Sequence, residues 1–399
     1  MLYLNLIEVL AGLLLTLCPL NHPPEEYLPA EPKLVQLEIT QEFGESINIK
    51  AIFEPIQYLD RIEIFIKPHS NGEKITETLY PSLNGEIAYI VDLPNPSISL
   101  FSEVLIWFEV KMVDGTISRT EPTVYYYFDN RFNWKSLNTE EFTIFWYQDD
   151  PELGEKLLAI AYEGLAKINS LVDVPNPQGI KIYVYDDPAD LQETLVYAGE
   201  IVSKIAGHAK PSTDTILVSS KSDTKSLLET RRQIPHEMVH ILLFQKLGSS
   251  YINLPPWLNE GLATLAELTP NPDYLTLLSK AHEKSNIIPI EDLSETLPND
   301  EVNFQLAYAE SSAFTEYLYN IYGREVMEGF IQTCAHDGNC EIAVQRSFNK
   351  SLNELEGDWR SFEFSETPLT KIKDNALALI ILLCIAFIVP IGLVIKNLR

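Results

Sequence analysis

Pro235-His236-Glu237-Met238-Val239-His240 and, fourteen positions on, Leu254-Pro255-Pro256-Trp257-Leu258-Asn259-Glu260-Gly261-Leu262-Ala263 decide how this chain is read. The first contains H-E-x-x-H. On a helix that spacing puts both imidazoles on one face, one turn apart, where they can grip a single zinc ion with Glu237 beside it. Ile234, Met238, Ile241 and Leu242 give such a helix an apolar stripe, and Gly248 is a suitable stop. Pro235 either occupies the first turn of that helix or kinks a longer one begun near Ser226; the ligand spacing survives both. The second stretch opens another helix and brings in a carboxylate, Glu260, twenty positions after His240. A His236, His240, Glu260 set would hold one zinc ion per chain and leave its fourth position for water.

With these two motifs the chain resembles the gluzincin metallopeptidases, the thermolysin and aminopeptidase-N-like group of the peptidase MA-like enzymes. The segment Trp257-Leu258-Asn259-Glu260-Gly261-Leu262-Ala263 closely matches the one that carries their glutamate ligand. The resemblance covers roughly residues 133–364 and implies an α+β gluzincin domain, a strand-bearing upper lobe above a helical lower lobe with zinc between them. It implies Glu237 as the general base that takes a proton from the attacking water and passes it to the leaving amine. It also implies an oxyanion donor on a later helix, for which Tyr308 in Gln305-Leu306-Ala307-Tyr308-Ala309-Glu310-Ser311 is the nominee. Tyr317, Tyr319 and Tyr322 lie nearby among 19 tyrosines, so a packing role competes for Tyr308.

Other residues are set beside the site. Glu267, seven positions after Glu260 and on a similar helical face, either orients a ligating histidine or is a solvated or salt-bridging side chain. His208, in a polar loop ahead of an expected edge strand at 215–219, reads as surface and is left out of the site. Cys334 and Cys340, with His336 between them, read as a disulfide or two free thiols, not as a second metal site. The Ala206–Ser220 region lacks the Gly-x-Met-Glu-Asn segment with which aminopeptidases hold a free substrate amine. The nineteen residues between His240 and Glu260 resemble thermolysin-like spacing. Both favour an endopeptidase acting on peptide or protein substrates. The reading from another class is a catalytically silent, membrane-bound binding or structural protein that keeps the gluzincin fold.

Outward from this centre the pattern changes. Residues 34–128 show short apolar and aromatic runs, such as 47–53, 61–66 and 104–113, broken by Ser70-Asn71-Gly72, Leu93-Pro94-Asn95-Pro96 and Asp114-Gly115. They predict an all-β, immunoglobulin-like sandwich serving as a spacer or docking module. Strands at 142–147, 180–185 and 215–219, with a helix over 151–171, open the α/β part of the second domain.

Residues 375–395 run without a charge, and at roughly 1.5 Å per residue would span about 30 Å of hydrocarbon as a C-terminal transmembrane helix. Residues 9–20 read as part of a signal peptide or an uncleaved N-terminal anchor over 1–20. Together they predict a catalytic domain outside the cytoplasm, held to the cell membrane by a single C-terminal pass. A formal net charge of -28, from 29 Lys plus Arg against 57 Asp plus Glu, excludes nucleic acid as a partner.

Overall fold

The computed structural model describes residues 31–364, except for 69–71, 94, 96–97, 198–206 and 222. The apolar runs at 9–20 and 375–395 lie outside the described residues. Among those described, no helix is long and apolar enough to cross a membrane. The chain divides into two compact units between Asn130 and Arg131.

The first unit is built from two antiparallel sheets. One has the order β1 (Lys33–Glu42), β2 (Ser46–Glu54), β5 (Glu86–Asp92). The other runs β4 (Ile75–Leu79), β3 (Leu59–Pro68), β6 (Ser102–Met112), β7 (Ile117–Arg119), with β8 (Thr123–Tyr127) also pairing with β6. Period-2 alternation supplies the inner faces: Ile47, Ile49, Ala51 and Phe53 from β2, Ile62, Ile64 and Ile66 from β3, and Val104, Ile106, Phe108 and Val110 from β6 are all buried. Phe53 and Phe108 meet edge to face across the sheets, with ring centroids 5.4 Å apart.

The second unit opens on a mixed sheet in the order β12 (Gly207–Lys210), β13 (Thr215–Ser219), β11 (Ile180–Tyr185), β10 (Phe142–Trp146), β9 (Lys135–Asn138). The three inner strands are parallel and in register, so that Ile144 lies beside Ile182 and Ile182 beside Ile216. These residues share one core with Leu157, Ile160 and Ile168 of helix α1 (Leu153–Leu171) and with Met238, Ile241 and Leu242 farther along the chain. Helix α2 (Pro188–Tyr197) connects β11 to the segment before β12.

Two expectations need correction here. The strand at 215–219 is not an edge, because β12 pairs antiparallel outside it, with His208 opposite Leu217. His208 therefore lies in the edge strand and not in a polar loop. A four-residue strand with the sequence Gly-His-Ala-Lys has no β-propensity signature, so its pairing arises from tertiary context.

Beyond the sheet the unit is helical. Helix α3 (Thr224–Leu247) is one long helix with Pro235 inside it, which settles the two readings of that proline. Asp223 caps its start by accepting from the amides of Lys225 and Ser226, at 2.9 and 3.0 Å. Gly248, with φ +57, ends it. Helices α4 (Pro256–Ala266), α5 (Asp273–Glu283), α6 (Asp292–Glu295), α7 (Glu301–Asp337), α8 (Cys340–Phe348) and α9 (Leu352–Glu363) follow, with α7 broken at Gly323. Trp257 of α4, Phe314 and Phe330 of α7 and Trp359 of α9 form the aromatic centre of this half. Cys334 and Cys340 are joined by a disulfide that closes the turn from α7 to α8.

Candidate metal centre and active site

Four helices and one edge strand converge on a cavity of about 500 Å³. The five residues nominated from the sequence, His236, Glu237, His240, Glu260 and Tyr308, all line it. Helix α3 presents His236 and His240 on one face with ring centroids 5.3 Å apart, as one helical turn requires.

Helix α4 brings Glu260 to them. Its Oε2 lies 3.2 Å from His236 Nε2 and 3.8 Å from His240 Nε2. For α4 to do this it must lie close against α7, and Gly261 makes the approach feasible: a Cβ there would stand 2.1 Å from Thr315 Oγ1 and 2.5 Å from the Ser311 carbonyl oxygen. The glycine after Glu260 is thus a packing requirement of the site.

The three donor groups fit a metal ion. Ligand atoms about 2.0–2.1 Å from a tetrahedral centre lie about 3.3 Å from one another, close to the separations of Glu260 Oε2 from the two imidazoles. Donor atoms of His236, His240 and Glu260 all fall within 4.8 Å of one another. The site's field points the same way. Burial by itself would make His236 less basic, but its hydrogen bonds to Glu260 and Glu267 and the charge of Glu237 prevail and lift the imidazole to about 10. Burial would raise Glu260, yet His240, His236 and the Tyr308 hydroxyl together hold it at about 2. A site that draws a proton this strongly is built to hold positive charge.

Around the donors lies a set of orienting contacts. Glu267 is buried, 5% exposed, and places Oε1 3.2 Å from His236 Nδ1 and Oε2 3.5 Å from Arg232 Nε. Of its two sequence readings, the geometry is that of a group orienting a histidine, though Glu267 stands just past the end of α4 and not on its face. Asn259 Oδ1 lies 3.2 Å from His240 Nδ1, and its Nδ2 donates to Tyr251 Oη at 2.9 Å. Asn259 and Tyr251, whose Oη lies 3.3 Å from the same nitrogen, thus hold the Nδ1 side of His240 and leave its Nε2 toward Glu260.

Tyr308 stacks on His236 with centroids 5.8 Å apart and hydrogen-bonds Glu260. Burial and the charges of Glu260 and Glu237 push its hydroxyl well above the usual tyrosine range, so it remains a proton-bearing donor. Glu237 lies against β12: a Cβ on Gly207 would come within 2.8 Å of its Oε1.

Residues that the sequence does not single out also line the cavity, among them Arg232, Gln233, Tyr251, Tyr274 and Phe304, and so does His208, which corrects its expected place on the surface away from the site. Gln233 is nine-tenths buried and its Oε1 has no hydrogen-bond partner among the described residues. Its position one helical turn before Glu237 was the available signal.

The sequence pattern of the Peptidase MA superfamily matches residues 160–365. The chain belongs to that superfamily, and its second unit is a metallopeptidase-like domain whose His236, His240 and Glu260 form a candidate metal site. No curated protein matches the chain. Among solved structures it is similar to the crystal structure of wild type OgpA from Akkermansia muciniphila, at 10% identity and a TM-score of 0.21. That alignment covers 24% of this chain and 28% of the other, a short and remote likeness on which nothing rests.

Proposed function

We propose that this protein is a zinc-dependent endopeptidase anchored to the cell membrane by residues 375–395, with its catalytic domain outside the cytoplasm. The observation that carries the reading is the convergence of two imidazoles, a carboxylate and a separate glutamate on one cavity wall. His236, His240 and Glu260 would hold one zinc ion, which when bound supplies Lewis acidity, acidifying a water and polarising the scissile carbonyl.

The remaining work falls to the chain's own side chains. Glu237, anchored to α3 and braced against Gly207, takes the proton of the attacking water on its carboxylate and releases it to the departing amine. Tyr308 keeps its proton and donates toward the oxygen that gains charge as the carbonyl carbon becomes tetrahedral. Asn259 and Glu267 hold the two imidazoles in place. One side of β12 is paired with β13, and among the described residues its other side is an edge, to which an extended peptide can add by main-chain hydrogen bonds. The absence of a Gly-x-Met-Glu-Asn segment around β12 supports cutting within a chain over release of single residues.

The test is zinc content together with cleavage of quenched peptides by the full chain in detergent, comparing wild type with Glu237→Gln. The wild type should hold one zinc and cleave; the variant should keep zinc and lose about 10²–10⁴-fold in rate. Failure of the wild type to hold zinc, or a variant that cleaves as well as wild type, would overturn the proposal.

A further inference from the structure

We propose that Pro235 is a positioning residue for the metal site: its missing N–H releases the Arg231 carbonyl, which then fixes the chain that delivers Glu267 to His236. The inference rests on the zinc reading above and identifies a backbone device that serves it.

In a regular helix the carbonyl of residue i accepts from the amide of i+4, so Arg231 would be taken by residue 235. Pro235 has no amide proton, and its ring presses against the carbonyl four residues back. The helix nevertheless continues, from Thr224 to Leu247. The Arg231 carbonyl oxygen accepts instead from the Leu268 amide, at 3.1 Å.

Leu268 is the residue after Glu267, which leaves α4 with an extended backbone, φ -55 and ψ 132. The Glu267 amide donates to the Thr264 carbonyl at 3.2 Å, so the residue is tied on both sides. Two further bonds stitch the same segment to the first half of α3: Arg232 Nε donates to the Thr269 carbonyl at 3.2 Å, and Thr269 Oγ1 to the Leu228 carbonyl at 3.0 Å. From that pinned turn the Glu267 carboxylate reaches His236 Nδ1 at 3.2 Å. A proline within the helix, next to the first histidine, thus creates the acceptor that orients that histidine from a different element.

A packing role makes the opposite forecast. The Pro235 ring does lie against α1, where a Cβ on Gly164 would meet Pro235 Cγ at 2.8 Å. If packing were all, replacing the proline would alter stability but leave Glu267 and the metal alone.

The experiment is a double-mutant cycle on the full chain, with Pro235→Ala, Glu267→Ala and the pair. Zinc affinity is read by competition with a chromophoric chelator, and exchange of the Leu268 amide by mass spectrometry on the zinc-free protein. The alanine restores an amide to reclaim the Arg231 carbonyl. We expect faster Leu268 exchange in Pro235→Ala, about tenfold weaker zinc in each single variant, and no further loss in the double. Unchanged zinc affinity and unchanged Leu268 exchange in Pro235→Ala overturn the proposal, as does a double variant whose loss is the product of the two singles. A wild type without zinc overturns the metal reading itself, which separates that failure from this one.

Discussion

Glu310 is fully buried on α7, two residues past Tyr308, and its burial has a measurable signature. Oε1 accepts from the Ile288 amide at 3.1 Å, while Oε2 has no partner among the described residues. Burial raises its carboxyl from the ordinary 4.5 to about 8; the Ile288 amide and the charge of Arg360 oppose the rise without cancelling it, and Glu356 adds to it. The folded state thus holds a proton here that the unfolded chain has released at neutral pH. A folded pKa above the unfolded one means that the stabilisation is fully present below pH 4.5 and is lost as pH rises toward 8. At ~1.4 kcal/mol per pH unit, the full window costs on the order of 5 kcal/mol, and reaching pH 7 costs about 3. Glu310→Gln removes the titration and keeps an acceptor for Ile288. Urea unfolding followed by tryptophan fluorescence, with Trp257 and Trp359 reporting on this half, should show the variant gaining on wild type by ~1.4 kcal/mol per unit between pH 5 and 7. Parallel stability curves for the two proteins across that range would refute the reasoning.

Two further substitutions separate packing from chemistry. Gly261→Ala puts a methyl 2.1 Å from Thr315 Oγ1 and 2.5 Å from a backbone oxygen. Since the backbone cannot yield cheaply, we expect about 1–3 kcal/mol of destabilisation in thermal unfolding, and weaker zinc because Glu260 moves with the helix. Tyr308→Phe keeps the ring against His236 and removes only the hydroxyl; kcat should fall about 10²–10³-fold with KM and zinc affinity little changed, and an unaltered kcat would return Tyr308 to a packing role.

What could be read from the sequence was what depends on short spacing. His236 and His240 face the same way because a helix repeats every 3.6 residues, wherever that helix lies. The helix at 153–171 and the strand at 180–185 declare themselves by their own apolar period. What escaped reading depends on pairing between distant segments. β12 is a strand only because β13 offers a ladder to Gly207–Lys210, so local pattern alone puts His208 in a loop and the edge at 215–219. The spacing from Glu260 alone puts Glu267 on a helical face, but the helix ends one residue earlier and the chain turns away.

Glycine and proline carry the connection between these two kinds of information. Gly164 is needed where α1 meets the Pro235 ring, Gly207 where β12 meets Glu237, and Gly261 where α4 meets α7. Each lies at a contact between elements far apart in sequence, and each removes a side chain from a place where two elements must nearly touch. No local periodicity marks such positions, because the demand comes from the neighbour. The catalytic geometry is therefore set at two scales: helical repeat places the ligands on their elements, and close approach at these three glycines brings the elements within hydrogen-bonding distance. A mutation at the second scale should impair turnover without touching a single ligand, as Gly207→Ala would by crowding Glu237 Oε1 at 2.8 Å while leaving His236, His240 and Glu260 as they are. Retained zinc with impaired cleavage in that variant is the expected outcome, and full wild-type cleavage would show that the base does not need β12 to hold it.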